Sequence, residues 1–234
     1  MNLFERLYNK YIDKSFSVQK QSYSQCGEDL IVDFLFTWVL NIKNPSFMDV
    51  GAHHPWYLSN TYLMYRKGST GVNIEPDPYL FSSFPKLRKR DININKGVAF
   101  NTTSMEADFY IMSSRVLNTF SKSEATRVSG QGNVSIEEIK KIELVNINDL
   151  FKKFYSEKEL DFLSIDVEGL DLNILNTIEF EQNKPKVICV ETLEYAEQRI
   201  IKKNTETIDF LKSRDYFVYA DTSINTIFAR KDLF

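Results

Sequence analysis

The sequence predicts one α/β domain: a doubly wound, mainly parallel sheet that ends in an antiparallel hairpin, preceded by a helical extension over residues 1–44. Three observations predict it. From Asp49 onward, short β-branched runs alternate with longer mixed stretches, the pattern of a parallel sheet covered by helices. Several of these apolar runs end directly in an acid, at Asp49, Glu75, Asp166 and Glu191, as strands do when they deliver side chains to one rim of a sheet. The last two runs, YFVYA and INTIFAR, are separated only by Asp221–Asn225, too short for a helical crossover. With 234 residues, 43% hydrophobic and 26% charged, the chain can bury one sizeable core and is too short for two ordinary domains.

Within residues 1–44, Leu3, Phe4, Leu7, Tyr8 and Tyr11 recur at helical spacing, which suits a packed or oligomer-forming helix better than a membrane-surface one. A second helix is expected over Asp29–Leu40, between Gly27 and the Asn-rich turn before Pro45. The domain proper, 45–234, then reads as strands at Ser46–Val50, Thr70–Ile74, Ile92–Val98, Asp108–Met112, Ile142–Ile147, Phe162–Ile165, Val187–Glu191, Tyr216–Ala220 and Thr226–Arg230. Helices are expected at Trp56–Lys67, Pro78–Lys89, Asp149–Tyr155, Leu170–Ile178 and Thr205–Ser213. Asp77 and Pro78 read as the cap and first turn of one of them. Ser113–Ser135, rich in Ser, Gly and Asn, reads as a long loop or lid.

Charge and cysteine content narrow the partners. A net charge of −3 with dispersed lysines and arginines offers no basic stripe for nucleic acid. Cys26 and Cys189 are far apart, so neither a disulfide framework nor a zinc site is implied, and a reducing, cytoplasmic setting is expected. The N-terminal residues lack the apolar core of a signal peptide, and no run is apolar enough to span a bilayer.

The chemistry concentrates in four segments. In FMDVGAHHP, Phe47–Pro55, a strand runs into Asp49 and then Gly51 and Ala52, where a glycine lets backbone approach a ligand closely. The segment is not the full G-x-G-x-x-G fingerprint, which argues against a pyrophosphate cradle; an ordinary strand-to-helix turn is the bland reading. In GVNIEP, Glu75 stands at the end of the next strand, positioned to accept hydrogen bonds from a ribose diol. DFLSIDVEG delivers Asp166 and Glu168 to the same rim, and VICVE delivers Glu191 beside them. Together these carboxylates suit a hard divalent cation, Mg²⁺ or Mn²⁺, although Glu168 alone reads equally well as a helix cap. The chain's two histidines, His53 and His54, are adjacent on the first of these loops, as a general base or metal ligand.

On these residues the chain resembles the FkbM family of methyltransferases. The resemblance is carried by YSQCGED at Tyr23–Asp29, FMDVGAHHP with SNT at Ser59–Thr61, GVNIEP at Gly71–Pro76, LNTF at Leu117–Phe120 and DFLSIDVEGLD at Asp161–Asp171. Pro55 departs from it, since many members carry glycine there. The resemblance implies a seven-stranded methyltransferase sheet and O-methylation by S-adenosylmethionine of a sugar, as a nucleotide-activated sugar or a surface-glycan precursor. It implies cofactor contacts at Asp49, Gly51, Ala52, His53, Asn60, Thr61, Glu75, Pro76 and Asp166. Catalysis falls to Asp166, Glu168, His53 and His54, with any metal held by Asp166, Glu191 and His54. Substrate contacts are implied at Gln25, Glu28, Asp29, Asn118 and Thr119. The alternatives are a nucleotide-binding, sugar-modifying oxidoreductase and a non-catalytic glycan-binding relative.

Overall fold

The computed structural model describes residues 3–11, 20–101, 105–195 and 201–234. Two helices precede the sheet, α1 (Leu3–Tyr11) and α2 (Glu28–Phe34), the latter continued by a π-turn over Leu35–Val39. Then follow β1 (Phe47–Val50), α3 (Tyr62–Lys67), β2 (Gly71–Ile74), α4 (Pro78–Phe81), α5 (Phe84–Leu87), β3 (Ile92–Ile94), β4 (Gly97–Val98) and β5 (Glu106–Met112). The second half runs α6 (Lys122–Gly130), β6 (Ile136–Val145), α7 (Ile147–Phe154), β7 (Phe162–Ile165), α8 (Asp171–Thr177) and β8 (Val187–Glu191). It closes with β9 (Leu193–Tyr195), β10 (Ile201–Lys203), α9 (Thr205–Ser213), β11 (Tyr216–Asp221) and β12 (Asn225–Arg230).

The main sheet has seven strands in the order β11-β12-β8-β7-β1-β2-β3. Its strands are parallel except β12, which runs antiparallel to both β8 and β11. The predicted closing hairpin is therefore present. Residue parity divides the core between the two faces. Met48, Val50, Val72, Ile74, Leu163 and Ile165 face α7, α8 and α9, while Phe47, Phe162, Val187, Cys189 and Ile227 face Val32, Leu35, Phe36 and Met64. Glu28, at the start of α2, is fully buried and accepts hydrogen bonds from the Thr222 hydroxyl (2.6 Å) and the Asn225 amide (3.1 Å), joining the helix to the hairpin turn. Leu3, Phe4, Leu7 and Tyr8 of α1 are exposed.

Four expectations need correction. The Trp56–Lys67 helix is confined to Tyr62–Lys67, because the chain from Trp56 to Asn60 winds in turns, with Leu58 at φ 56°. Pro78–Lys89 is two short helices, since Pro85 sits in the first turn of the second and cannot donate to a continuous ladder. The Ile92–Val98 strand divides at Asn95: β3 joins the main sheet and β4 leaves it to pair with β6 in a three-stranded sheet, order β4-β6-β5. Finally, Ser113–Ser135 is no structureless loop. Arg115–Leu117 forms a 3₁₀ turn, Tyr110 and Thr119 form a bridge, and α6 is capped by the Ser121 hydroxyl accepting from the Glu124 N–H at 3.2 Å. Residues 115–120 of that segment and Phe109 of β5 form a roof over the carboxyl ends of β1 and β2.

Candidate active site

Under this roof lies a cleft of about 800 Å³, solvent at its mouth included. The turn after β1 forms its floor. The N–H groups of Gly51 and Ala52 both donate to the Ile74 carbonyl at 3.0 Å. Gly51 sits at φ 77°, and a Cβ there would come within 1.9 Å of the Asp166 carbonyl oxygen. The glycine is thus demanded by its own φ and by the neighbouring strand end, not only by a ligand.

Each strand-end acid has a definite role in this geometry. Asp49, 4% exposed, accepts from the Thr61 hydroxyl at 2.7 Å, and Thr61 accepts from the Arg88 guanidinium at 3.1 Å. Arg88 is fully buried, paired with Asp91 at 2.7 Å, and donates to the Pro55 carbonyl at 2.9 Å. Glu75 accepts the His53 N–H on one oxygen and the Asp77 N–H on the other, both at 2.7 Å. Burial nonetheless pushes its carboxyl up to about 8. Asp77 caps α4 as expected, accepting from Tyr79 N–H, and also holds the roof by accepting from Arg115 (2.9 Å) and Asn118 (2.8 Å).

At the other end of the cleft, Asp166, Glu168 and Glu191 bring one carboxylate oxygen each to within 4.8 Å of one another. Burial, then the charges of Asp49 and Glu28, push Asp166 up to about 6. Burial, then Asp166 and Glu168, push Glu191 up to about 10, and Glu168 is raised for like reasons. Asp171, which accepts the N–H groups of Val167 and Gly169 at 3.3 Å, is pushed up to about 7. Glu168 has φ 53°, a conformation unfavourable for a residue with a side chain and concentrated elsewhere at functional sites.

Among the sequence-predicted residues, Asp49, Gly51, Ala52, His53, Asn60, Glu75, Pro76, Asp166, Glu168, Gln25 and Asn118 all line the cleft. The others fall elsewhere. Thr61 and Thr119 lie behind its wall, Thr61 on Asp49 and Thr119 donating to the Glu168 carbonyl at 2.8 Å. Glu28 and Asp29 are turned inward: Asp29 accepts from Ser22, Ser24 and the Tyr23 N–H, a polar knot that organises the start of α2. They hold structure and do not wall the cleft. His54 likewise stands apart from the converging acids. Its Nδ1 accepts from Tyr57 N–H (3.1 Å) and Trp56 N–H (3.4 Å), which closes the loop on itself. His53 does face the cleft, with Nδ1 buried and lacking a partner among the described residues, and burial lowers its basicity. Arg88 and Arg115 carry no motif that could have revealed them; only the tertiary structure brings them to the site.

The strand order, with its antiparallel final pair and a ligand cleft over the acids that end β1 and β2, is the architecture of S-adenosylmethionine-dependent methyltransferases. The chain belongs to the FkbM family: the model described as the methyltransferase FkbM domain matches residues 49–218. No curated protein matches the sequence significantly. Among solved structures, a TehB-like SAM-dependent methyltransferase from Corynebacterium glutamicum aligns at 8% identity, covering 97% of this chain and 98% of that one, with a TM-score of 0.44. The pyocyanin biosynthetic protein PhzM aligns at 11% identity over 86% of this chain and 55% of that one, TM-score 0.41. At such distances these likenesses carry no further inference.

Proposed function

We propose that the protein transfers the methyl group of S-adenosylmethionine to a hydroxyl of a sugar. The observation that carries the reading is the acidic lining of the cleft: Asp49, Glu75 and Asp166 wall it, and burial raises all three, so that hydroxyl donors or a positive charge from a ligand would be what holds them ionised. Arg115, the one Lys or Arg among the described residues of that wall, is paired with Asp77. Such a wall favours a ligand with hydroxyl donors and positive charge, a ribose diol and a sulfonium, and offers a pyrophosphate no unpaired cation among the described residues. Dinucleotide-dependent oxidoreduction is disfavoured on the same ground.

In this reading Glu75 takes the ribose hydroxyls, and the Gly51–Ala52 backbone lies against the cofactor. The acceptor hydroxyl attacks the methyl carbon in line; the carbon–sulfur bond breaks, its electron pair stays on sulfur, and a neutral thioether leaves. Asp166 receives the hydroxyl proton. Burial holds its acidity closer to the working pH than that of an exposed aspartate, and His53 is the rival base. Asp166, Glu168 and Glu191 also fit a divalent cation such as Mg²⁺ or Mn²⁺, which when bound would lower the acceptor hydroxyl's pKa.

The test is calorimetric binding of S-adenosylhomocysteine, followed by methyl incorporation from labelled cofactor into a panel of sugars, read as one added methylene in mass. Binding and incorporation that fail together would sink the reading. Asp166→Asn should bind the cofactor product and lose turnover; His53→Gln losing turnover instead would move the base to the imidazole. Turnover undiminished after exhaustive EDTA treatment would remove the metal.

A further inference from the structure

Residues 22–29, ahead of the sheet, form a strap whose backbone is tied down while one side chain is left unspent. Asp29, fully buried, accepts from the hydroxyls of Ser22 (2.7 Å) and Ser24 (2.9 Å) and from the Tyr23 N–H (2.7 Å). Ser24 Oγ in turn accepts the Gly27 N–H at 3.1 Å, and Gly27 turns the chain at φ 90°. Glu28, also fully buried, takes the Cys26 N–H on one oxygen (2.8 Å) and Thr222 and Asn225 on the other. The Tyr23 carbonyl accepts the Ser59 N–H at 2.9 Å. Burying two carboxylates is costly, and both are spent on the shape of this one strap. Gln25, between the two sets of anchors, is exposed and belongs to the cleft wall, and its amide has no partner among the described residues.

The anchors fix where Gln25 stands. Thr222 and Asn225 lie at the start of β12, with Asn225 opposite Glu191 of β8, and Ser59 lies in the loop after β1. In the sheet order β12-β8-β7-β1-β2 these anchors flank the end of β7, on the far side of β1 from Glu75. The ends of β7 and β2 are two strand spacings apart, about 10 Å. We propose that Gln25 binds the carboxylate of the cofactor's methionine part, with Glu28 and Asp29 as positioning residues that hold the strap. The assignment rests on the methyl-transfer reading above, in which Glu75 takes the ribose; the amino-acid chain then runs across β1 toward Asp166 and Gln25. A carboxylate there needs donors, and ionised acids only accept. Other side chains of the wall have theirs engaged: Asn60 donates to Ser164 and Cys189, and Asn118 and Arg115 donate to Asp77. His53 is tied through its backbone N–H to Glu75, at the ribose end. Among the described residues, the Gln25 amide is the uncommitted donor at the opposite end.

The experiment is calorimetry on the full chain with two ligands: S-adenosylhomocysteine and its decarboxylated analogue S-adenosyl-3-thiopropylamine, which keeps the adenosine, sulfur and ammonium and lacks only the carboxylate. Gln25→Ala should weaken S-adenosylhomocysteine by roughly tenfold, the scale of a lost hydrogen bond to a charged group, and leave the analogue within about twofold. Gln25→Glu should cost S-adenosylhomocysteine more than alanine does and cost the analogue nothing, because a like charge then faces the carboxylate. Glu28→Gln sets an NH2 group against the Cys26 N–H and should give part of the same selective loss, whereas general damage to the fold would weaken both ligands alike. An equal penalty on both ligands overturns the assignment. Unchanged S-adenosylhomocysteine affinity in Gln25→Ala, with a raised KM for the acceptor, overturns it too and makes Gln25 an acceptor residue. A native chain that binds neither ligand overturns methyl transfer itself, so the two failures are distinguishable.

Discussion

At the scale of single residues, Glu75 and Gly51 make separable demands. Glu75 uses one lone pair of each oxygen on the backbone of His53 and Asp77, leaving the others for a ligand. Glu75→Gln should therefore weaken S-adenosylhomocysteine by about 1–3 kcal/mol, read by calorimetry, with part of the cost appearing as a lower melting temperature because one backbone donor loses its acceptor. Undiminished affinity would take Glu75 out of the ribose site. Gly51→Ala tests a different point. With φ 77° and a Cβ only 1.9 Å from the Asp166 carbonyl, even a methyl group must displace the β7 end. The variant should lose roughly 1–3 kcal/mol of stability as well as cofactor affinity. A stable Gly51→Ala protein that merely fails to bind would return the glycine to the simpler role of making room for the cofactor. The acids were legible because an apolar run that stops at a carboxylate marks a strand reaching the rim of its sheet. The inward turn of Glu28 was not, since a Q-C-G-E-D segment reads alike whether its carboxylates face solvent, substrate or a distant hairpin.

At the scale of elements, β1, β2, β7 and β8 of the main sheet were readable because each is a short, mostly apolar run buried on both faces, a pattern with few competitors. What failed to read was the connection after β2 and the roof. Two short helices and a strand that changes sheets at Asn95 depend on contacts distant in sequence, and the Ser- and Gly-rich composition of 113–135 conceals α6. The buried Arg88 is the clearest case. It links Asp91, the Pro55 carbonyl and Thr61, and through Thr61 it reaches Asp49, so one guanidinium fastens the α5 end to the loop after β1. Arg88→Met would leave Asp91 and Asp49 buried without their cation. A loss of about 3–5 kcal/mol in urea unfolding is expected, and a loss under about 1 kcal/mol would show that the network contributes position rather than stability.

Across the whole molecule, the acids of the site set the pH dependence of folding. Asp166, Asp171, Glu75 and Glu191 have folded values pushed up to about 6, 7, 8 and 10. Each therefore holds its proton in the native state after the unfolded chain has released it. The native state binds more protons through that window, so stability falls as pH rises from the ordinary carboxylate range toward about 8. Glu28, Asp161 and Asp221 are shifted the other way and lose stabilisation only below that range. The melting temperature of the ligand-free protein should decline between about pH 5 and pH 8, and Asp166→Asn should flatten the decline. A melting temperature that rises across this interval would contradict the charge distribution described. The close approach of Gly51 to Asp166 has a further consequence. With the Asp166 N–H donating to the Val50 carbonyl at 3.0 Å, the two strand ends mesh like teeth of one gear, and neither can be re-indexed alone. Grafting the β1 turn of a relative onto this chain should succeed only when its β7 terminus is transplanted with it, so the two segments form a single unit of inheritance although more than a hundred residues of sequence separate them.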